Sequence, residues 1–168
     1  MRQKFFFIIV ILFVWDTSDA QTQKPYANRV RVGAPSQQGW ITDFERIIDS
    51  NSRIVLTEMA RDYQITTSNQ ICILVEPRPK DNFVTYARDV GDQWGLWKEG
   101  KENEVLIVFS KQERNVWIAL SFSQKKKITD SVCNTIIHEK IYPKFREEKF
   151  AEGLISGMKE IIAILEKQ

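Results

Sequence analysis

The chain has 168 residues, 43% hydrophobic and 27% charged, which excludes a disordered tail, a collagen-like fibre and a multi-span membrane protein. Its 24 basic and 22 acidic residues leave a formal charge of +2, too even for a dedicated nucleic-acid binder. Two cysteines and one histidine cannot build a disulfide scaffold, a four-thiolate zinc site or a cage of several imidazoles.

The first residues, Met1-Arg2-Gln3-Lys4, are followed by an unbroken apolar run of 11 residues from Phe5 to Trp15. A membrane-spanning helix needs about 20. Two cations, a short apolar stretch and the small-residue pattern Ser18-Asp19-Ala20 predict a secretory signal over residues 1–20, cut after Ala20. The alternative is an uncleaved membrane anchor. Export places the chain in a periplasmic or extracellular setting, where disulfides can form. The mature chain is expected to have no transmembrane helix.

Residues 21–38 are polar, carry Pro25 and Pro35, and read as a tether. Residues 39–168 then form one domain large enough to bury a core. Asp49 and Ser50 are candidates to cap a first helix, with Val55, Met59, Ala60 and Tyr63 at helical spacing. The apolar run Gln70 to Glu76, closed by Pro77 and Pro79, predicts a strand buried on both faces. A second helix follows over Asn82 to Gln93, with Phe83, Tyr86, Ala87 and Val90 on one side. Val105 to Phe109 is a second buried strand. Asn115 to Phe122 alternates, with Val116, Ile118, Leu120 and Phe122 on one face. After Thr129-Asp130 a third helix carries Val132, Ile136, Ile137 and Ile141 as far as Pro143. The last helix carries Phe150, Leu154, Met158, Ile161 and Leu165.

This order predicts an α/β fold: a three-layer sandwich whose small central β-sheet has helices on both faces. Helical connections make the sheet partly parallel, and the short joint from Ser110 to Arg114 adds one antiparallel pair. The sheet is therefore mixed. Cys72 and Cys133 both fall in apolar segments and read as small core residues, and a bond between them is left open.

Across these elements the chain resembles the TPM domain family, of the thylakoid-lumen acid phosphatase, photosystem II repair protein and nematode receptor-associated protein type. The resemblance rests on Ile41-Thr42-Asp43, Tyr86-Ala87, Trp94-Gly95-Leu96, Lys101-Glu102-Asn103 and the strand Val105-Leu106-Ile107-Val108. It resumes at Arg114, Ile128-Thr129-Asp130, Ile141-Tyr142-Pro143, Phe145-Arg146 and Phe150. It implies an exported or lumenal α/β domain, often tethered at a membrane. Some members are described as binding calcium and hydrolysing phosphate esters, and others act as repair or auxiliary subunits.

The chain departs from the family pattern on its loops. Ser121-Phe122-Ser123-Gln124-Lys125 stands where the family has a glycine-rich stretch ending in glutamate. Trp97 replaces a glycine, Glu102-Asn103-Glu104 replaces an Asp-Asn-Gly turn, and Glu113 replaces an aspartate before Arg114. The resemblance points to Asp43, Glu102 and Glu113 as a calcium site at one sheet edge. The plain alternative is three unrelated surface carboxylates. An ammonium from Lys125 within about 4–6 Å would satisfy those carboxylates and compete with a dication.

Phosphate-ester hydrolysis needs a nucleophile with a base, and cations at the phosphoryl oxygens. Arg114 and Lys125 can bind an anionic substrate, and Trp97 can form an exposed rim beside them. No nucleophile accompanies them. His138-Glu139 is followed by Tyr142, so the helical zinc motif with two histidines is absent. The run Lys125-Lys126-Lys127 can meet an anionic partner or lipid headgroups, or simply be a solvated loop. The expected function is an exported, non-enzymatic binding or auxiliary module with an envelope or membrane protein partner and a degenerate acidic metal site. The alternative is a calcium-dependent acid phosphatase built on Asp43, Glu102, Glu113 and Arg114.

Overall fold

The computed structural model describes residues 33–77, 82–98 and 104–167. The expected signal, the tether as far as residue 32, and Glu102 lie outside the described residues. Four strands form one mixed sheet in the order β1 (Ile41–Asp43), β2 (Ile71–Val75), β3 (Val105–Ser110) and β4 (Asn115–Leu120). β1, β2 and β3 are parallel, and β4 runs antiparallel to β3.

Alternation along each strand decides what covers each face. Ile71, Ile73 and Val75 of β2 join Val105, Ile107 and Phe109 of β3 and Val116, Ile118 and Leu120 of β4 in a first cluster. That face is covered by α1 (Ser50–Thr67), α4 (Asp130–Ile136), α5 (Tyr142–Arg146) and α6 (Phe150–Glu166). Cys72 and Leu74 join Leu106, Val108 and Ala119 on the opposite face, beneath α2 (Phe83–Gln93). The predicted three-layer arrangement is the one found. Each fully buried Leu154- or Met158-sized side chain contributes about 1.5–3 kcal/mol to holding the layers together.

The connections carry one unusual feature. From β1 to β2 and from β2 to β3 the chain steps one strand over in the same direction, yet α1 and α2 lie on opposite faces. The two crossovers therefore have opposite hand, and one departs from the usual right-handed rule.

Asp49 caps α1 by accepting from Ser52 N at 3.0 Å, and Asn82 and Thr129 cap α2 and α4 in the same way. The buried stripe of α1 is Leu56, Ala60 and Tyr63, with Met59 packed beside it, and of the expected positions only Val55, 39% exposed, falls off it.

Three segments differ from expectation. Ile41–Asp43 is an edge strand, too short for its alternation to show in sequence. Phe122 is not on β4; it opens a single turn, α3 (Phe122–Lys125), and is 70% exposed. Pro143 does not end its helix. The turn Ile137–Ile141 is π-helical, with Tyr142 N bonded to Ile137 O, and the wider turn lets α5 begin at Tyr142 with Pro143 in its first turn. The π-turn lies close against α6, where a Cβ on Gly157 would meet the Ile141 side chain at 2.7 Å.

The packed unit reaches back into the expected tether. Ala34 N donates to Gln93 Oε1 at 2.9 Å, Trp94 Nε1 donates to Pro35 O at 2.7 Å, and Gln38 N donates to Thr42 Oγ1 at 2.9 Å.

Cys72 and Cys133 are free thiols in the two clusters on opposite faces, so the sheet itself keeps them apart. Burial, then the charge of Glu104, pushes the Cys72 thiol up to about 12; burial, then Asp130, does the same for Cys133. At pH 8 only about one thiol in ten thousand is then ionised. Alkylation with iodoacetamide at pH 8 should spare both cysteines in the folded chain and modify both in denaturant. Prompt native labelling of either one would contradict their placement.

Candidate functional site

The parallel strands direct their carboxyl ends to one edge of the sheet, and the β3–β4 turn, residues 111–114, lies at that edge as well. Open α/β sheets present their sites there. On the α1/α6 face of this edge lies a cavity of about 890 Å³, lined by charged residues above an aromatic floor. Phe109, Tyr142, Phe145 and Phe150 make the floor. Phe109 stacks at 4.3 Å on Phe145 and 5.4 Å on Phe150, and Phe145 meets Phe150 edge-on at 5.3 Å. Gly153 permits this packing, because a Cβ there would meet the Phe145 ring at 2.6 Å.

Lys111, Arg114 and Arg146 face two carboxylates, Glu45 and Glu148, around the cavity mouth. Lys111 Nζ sits 5.0 Å above the Phe150 ring, and its backbone N–H donates to Glu45 Oε1 at 3.2 Å. The Glu45 carboxyl is raised above its usual range, chiefly by burial, with the charge of Asp43 acting in the same direction and the Lys111 N–H opposing. Left-handed backbone holds Arg114 (φ 50°), Glu148 (φ 59°) and, next to Glu45, Arg46 (φ 54°). Such residues cost roughly 1–3 kcal/mol each and gather where surrounding structure fixes a functional geometry. The first turn of α6 opens at Phe150 without a side-chain cap, so the positive end of its dipole adds to the cationic rim.

Asp43 lies beside this cavity, not in its lining. Its side chain has no solvent exposure; Oδ2 accepts from Ile48 N at 2.9 Å and from Arg53 Nη2 at 3.4 Å. Arg53 Nη1 also donates to Ile41 O at 3.0 Å, while Asp43 Oδ1 is buried without a hydrogen-bond partner. The counter-ion of the buried aspartate is thus Arg53.

The structure separates the residues that the sequence grouped together. Of those residues, Arg114 lines the cavity. Glu113 sits exposed on the β3–β4 turn, with its amide bonded to Ser110 Oγ at 3.2 Å. Lys125 lies beyond Leu120, which pairs with Val105 at the amino edge, whereas Asp43 pairs with Val75 at the carboxyl edge. A strand length, about 17–20 Å, parts the two edges, so Lys125 is no counter-ion of Asp43. Trp97 packs on α2 on the other face, donating from Nε1 to Arg88 O at 3.1 Å. Gly91 makes room for it, since a Cβ there would meet the indole at 2.2 Å. It forms no rim to the cavity.

Four lining charges escaped the sequence reading: Glu45, Lys111, Arg146 and Glu148. The only sequence signal for Glu45 is its place two residues past Asp43, and the chain bends there at residues 44–45 instead of continuing as a strand. The others lie on turns and a helix end that only packing assembles.

The profile of the TPM domain matches residues 41–164. The chain belongs to the TPM domain family. Among solved structures, this TPM domain is similar to the N-terminal domain of a P. gingivalis protein, at 22% identity and a TM-score of 0.71, over 76% of this chain and 82% of that one. It is also similar to a protein of the psychrophilic bacterium Bizionia argentinensis, at 20% identity and a TM-score of 0.65, over 74% and 86%. The N-terminal domain of a Corynebacterium glutamicum protein matches at 15% identity and a TM-score of 0.57, over 81% and 86%. At these identities the likeness speaks to the fold. A comparison with curated proteins finds no match.

Calcium would need six to eight oxygens in this TPM domain. Asp43 offers one unpartnered oxygen next to a guanidinium, and Glu113 is exposed on its turn and does not line the cavity. Among the described residues no three carboxylate, imidazole or thiolate groups converge. The described side chains do not make up a calcium set.

The Asp43–Arg53 pair is open to a direct test. Arg53 is 40% exposed, so screening reduces its Coulomb term, and the larger cost of its loss is a buried carboxylate left short of partners. Arg53→Ala should lower stability by about 1–3 kcal/mol in urea unfolding. The double variant Asp43→Asn/Arg53→Ala should recover part of the loss, and equal stability of wild type and Arg53→Ala would refute the pairing.

Proposed function

We propose that this TPM domain is an exported, non-enzymatic binding module of the cell envelope, and that the cavity at the carboxyl edge is its binding surface. The observation that carries this reading is the lining itself. Lys111, Arg114 and Arg146 surround an aromatic floor, and no serine, threonine, cysteine or histidine stands among the described lining residues. Such a lining suits an anionic group attached to an apolar or aromatic body, as on a carboxylate- or phosphate-bearing partner, and it offers no hydroxyl–imidazole or thiol–imidazole pair to attack it. Export is supported by Arg2, Lys4, the apolar run Phe5 to Trp15 and Ser18-Asp19-Ala20.

The second reading is the calcium-dependent acid phosphatase. The unpartnered Oδ1 of Asp43 and the raised carboxyl of Glu45 favour it, the latter as a proton donor near Arg114. Phenyl phosphate separates the two. On the binding reading it binds saturably in calorimetry and is not hydrolysed, with or without calcium. Arg114→Ala or Arg146→Ala then weakens binding roughly ten- to a hundredfold, the worth of one charged hydrogen bond. Calcium-stimulated hydrolysis that disappears in Asp43→Ala would overturn the non-enzymatic reading in favour of the phosphatase. Export has its own readout: the secreted protein should begin at Gln21, and retention with Met1 in the membrane fraction would point to an anchor instead.

A further inference from the structure

The amino edge of the sheet, a strand length from the cavity, carries a different chemistry. β4 ends there at Leu120, and the chain passes through α3 into Lys125-Lys126-Lys127, all three exposed. Phe122 is 70% exposed, with Lys126 Nζ 4.9 Å from its ring centroid. Ile65, at 73% exposure, stands in the last turn of α1, which reaches the same edge just before β2 starts at Ile71. The two most exposed large apolar side chains among those described therefore share one edge with a run of lysines.

The chain also enters the domain here. α2 returns from the carboxyl edge and ends at Gln93, where Gln93 and Trp94 hold Ala34 and Pro35. The chain preceding Gly33 therefore joins the domain at this edge.

From these placements we infer that the amino edge docks on a membrane surface of anionic lipids. Phe122 and Ile65 enter the headgroup region, and Lys125 and Lys126 lie against lipid phosphates. Neither part is sufficient alone. Asp130 begins α4 close to the lysine run and offsets some of its charge, and two apolar side chains are a weak anchor, so the surface combines two signals. A lipid surface fits this edge better than a folded partner, since compact ammonium groups on flexible stems and separated apolar tips match a fluid plane of phosphates. The orientation that results turns the cavity away from the bilayer. The inference stands independently of what the cavity binds.

The test uses the full chain with an environment-sensitive fluorophore on Ser123→Cys, the two native thiols being buried. A second labelled variant, Gln112→Cys, reports the carboxyl edge. Phosphatidylethanolamine–phosphatidylglycerol vesicles should blue-shift the label at position 123 and leave that at position 112 unchanged. Lys125→Gln/Lys126→Gln should weaken the vesicle affinity roughly tenfold or more. Salt near 1 M, where the screening length is about 3 Å, should do likewise. Phe122→Ser should remove the blue shift while the thermal melt stays in place, as suits an exposed side chain. A shift at position 112 instead, or no shift with the phosphatidylglycerol-containing vesicles, would overturn the inference. An equal shift on phosphatidylcholine, indifferent to the lysine variants, would overturn it too, because the apolar run Phe5 to Trp15 alone would then be holding the chain.

Discussion

Strand direction is the constraint on which the rest of this molecule depends. Three parallel strands send their carboxyl ends to one edge, and the antiparallel β4 carries the chain back to the other. The strands are buried on both faces, so their backbone groups must be paired and the register cannot slip without moving whole rows of side chains. Each loop is thereby assigned to one edge or the other. Asp43, the β3–β4 turn and the start of α6 meet at the first; α3, the lysine run and the entry of the chain gather at the second.

The carboxyl edge concentrates local departures from regular geometry, and the core supports them. Left-handed Arg114 and Glu148, the π-helical turn before Pro143, and the glycine contacts on α6 all serve to bring Phe145 and Phe150 under three cations. Each strained residue costs about 1–3 kcal/mol. One fully buried leucine or methionine in the adjoining cluster offsets a cost of that size.

Family membership describes the scaffold better than it describes the chemistry. In this TPM domain the buried acid at the end of β1 is held by Arg53, a residue of α1. The loop that carries Lys125 belongs to the far edge, so it bears on that surface and not on Asp43. Trp97 is likewise taken up by packing, in this case against Gly91 of α2.

Much of the architecture was legible in the chain alone. Continuous apolar runs at residues 71–75 and 105–109, closed by polar residues and prolines, read as strands covered on both sides, and Asp49 marks a helix start by its capping chemistry. Arg114 was legible as a residue of the β3–β4 turn because that turn is short. Periodicity is a local signal, and it faded where local order did: in the three residues of β1, at Phe122, and across Pro143. Which loops share an edge is not a local property at all. It follows from strand order and direction, and these decided that Lys125 stands a strand length from Asp43, and that Glu45, Lys111 and Arg146 line one cavity.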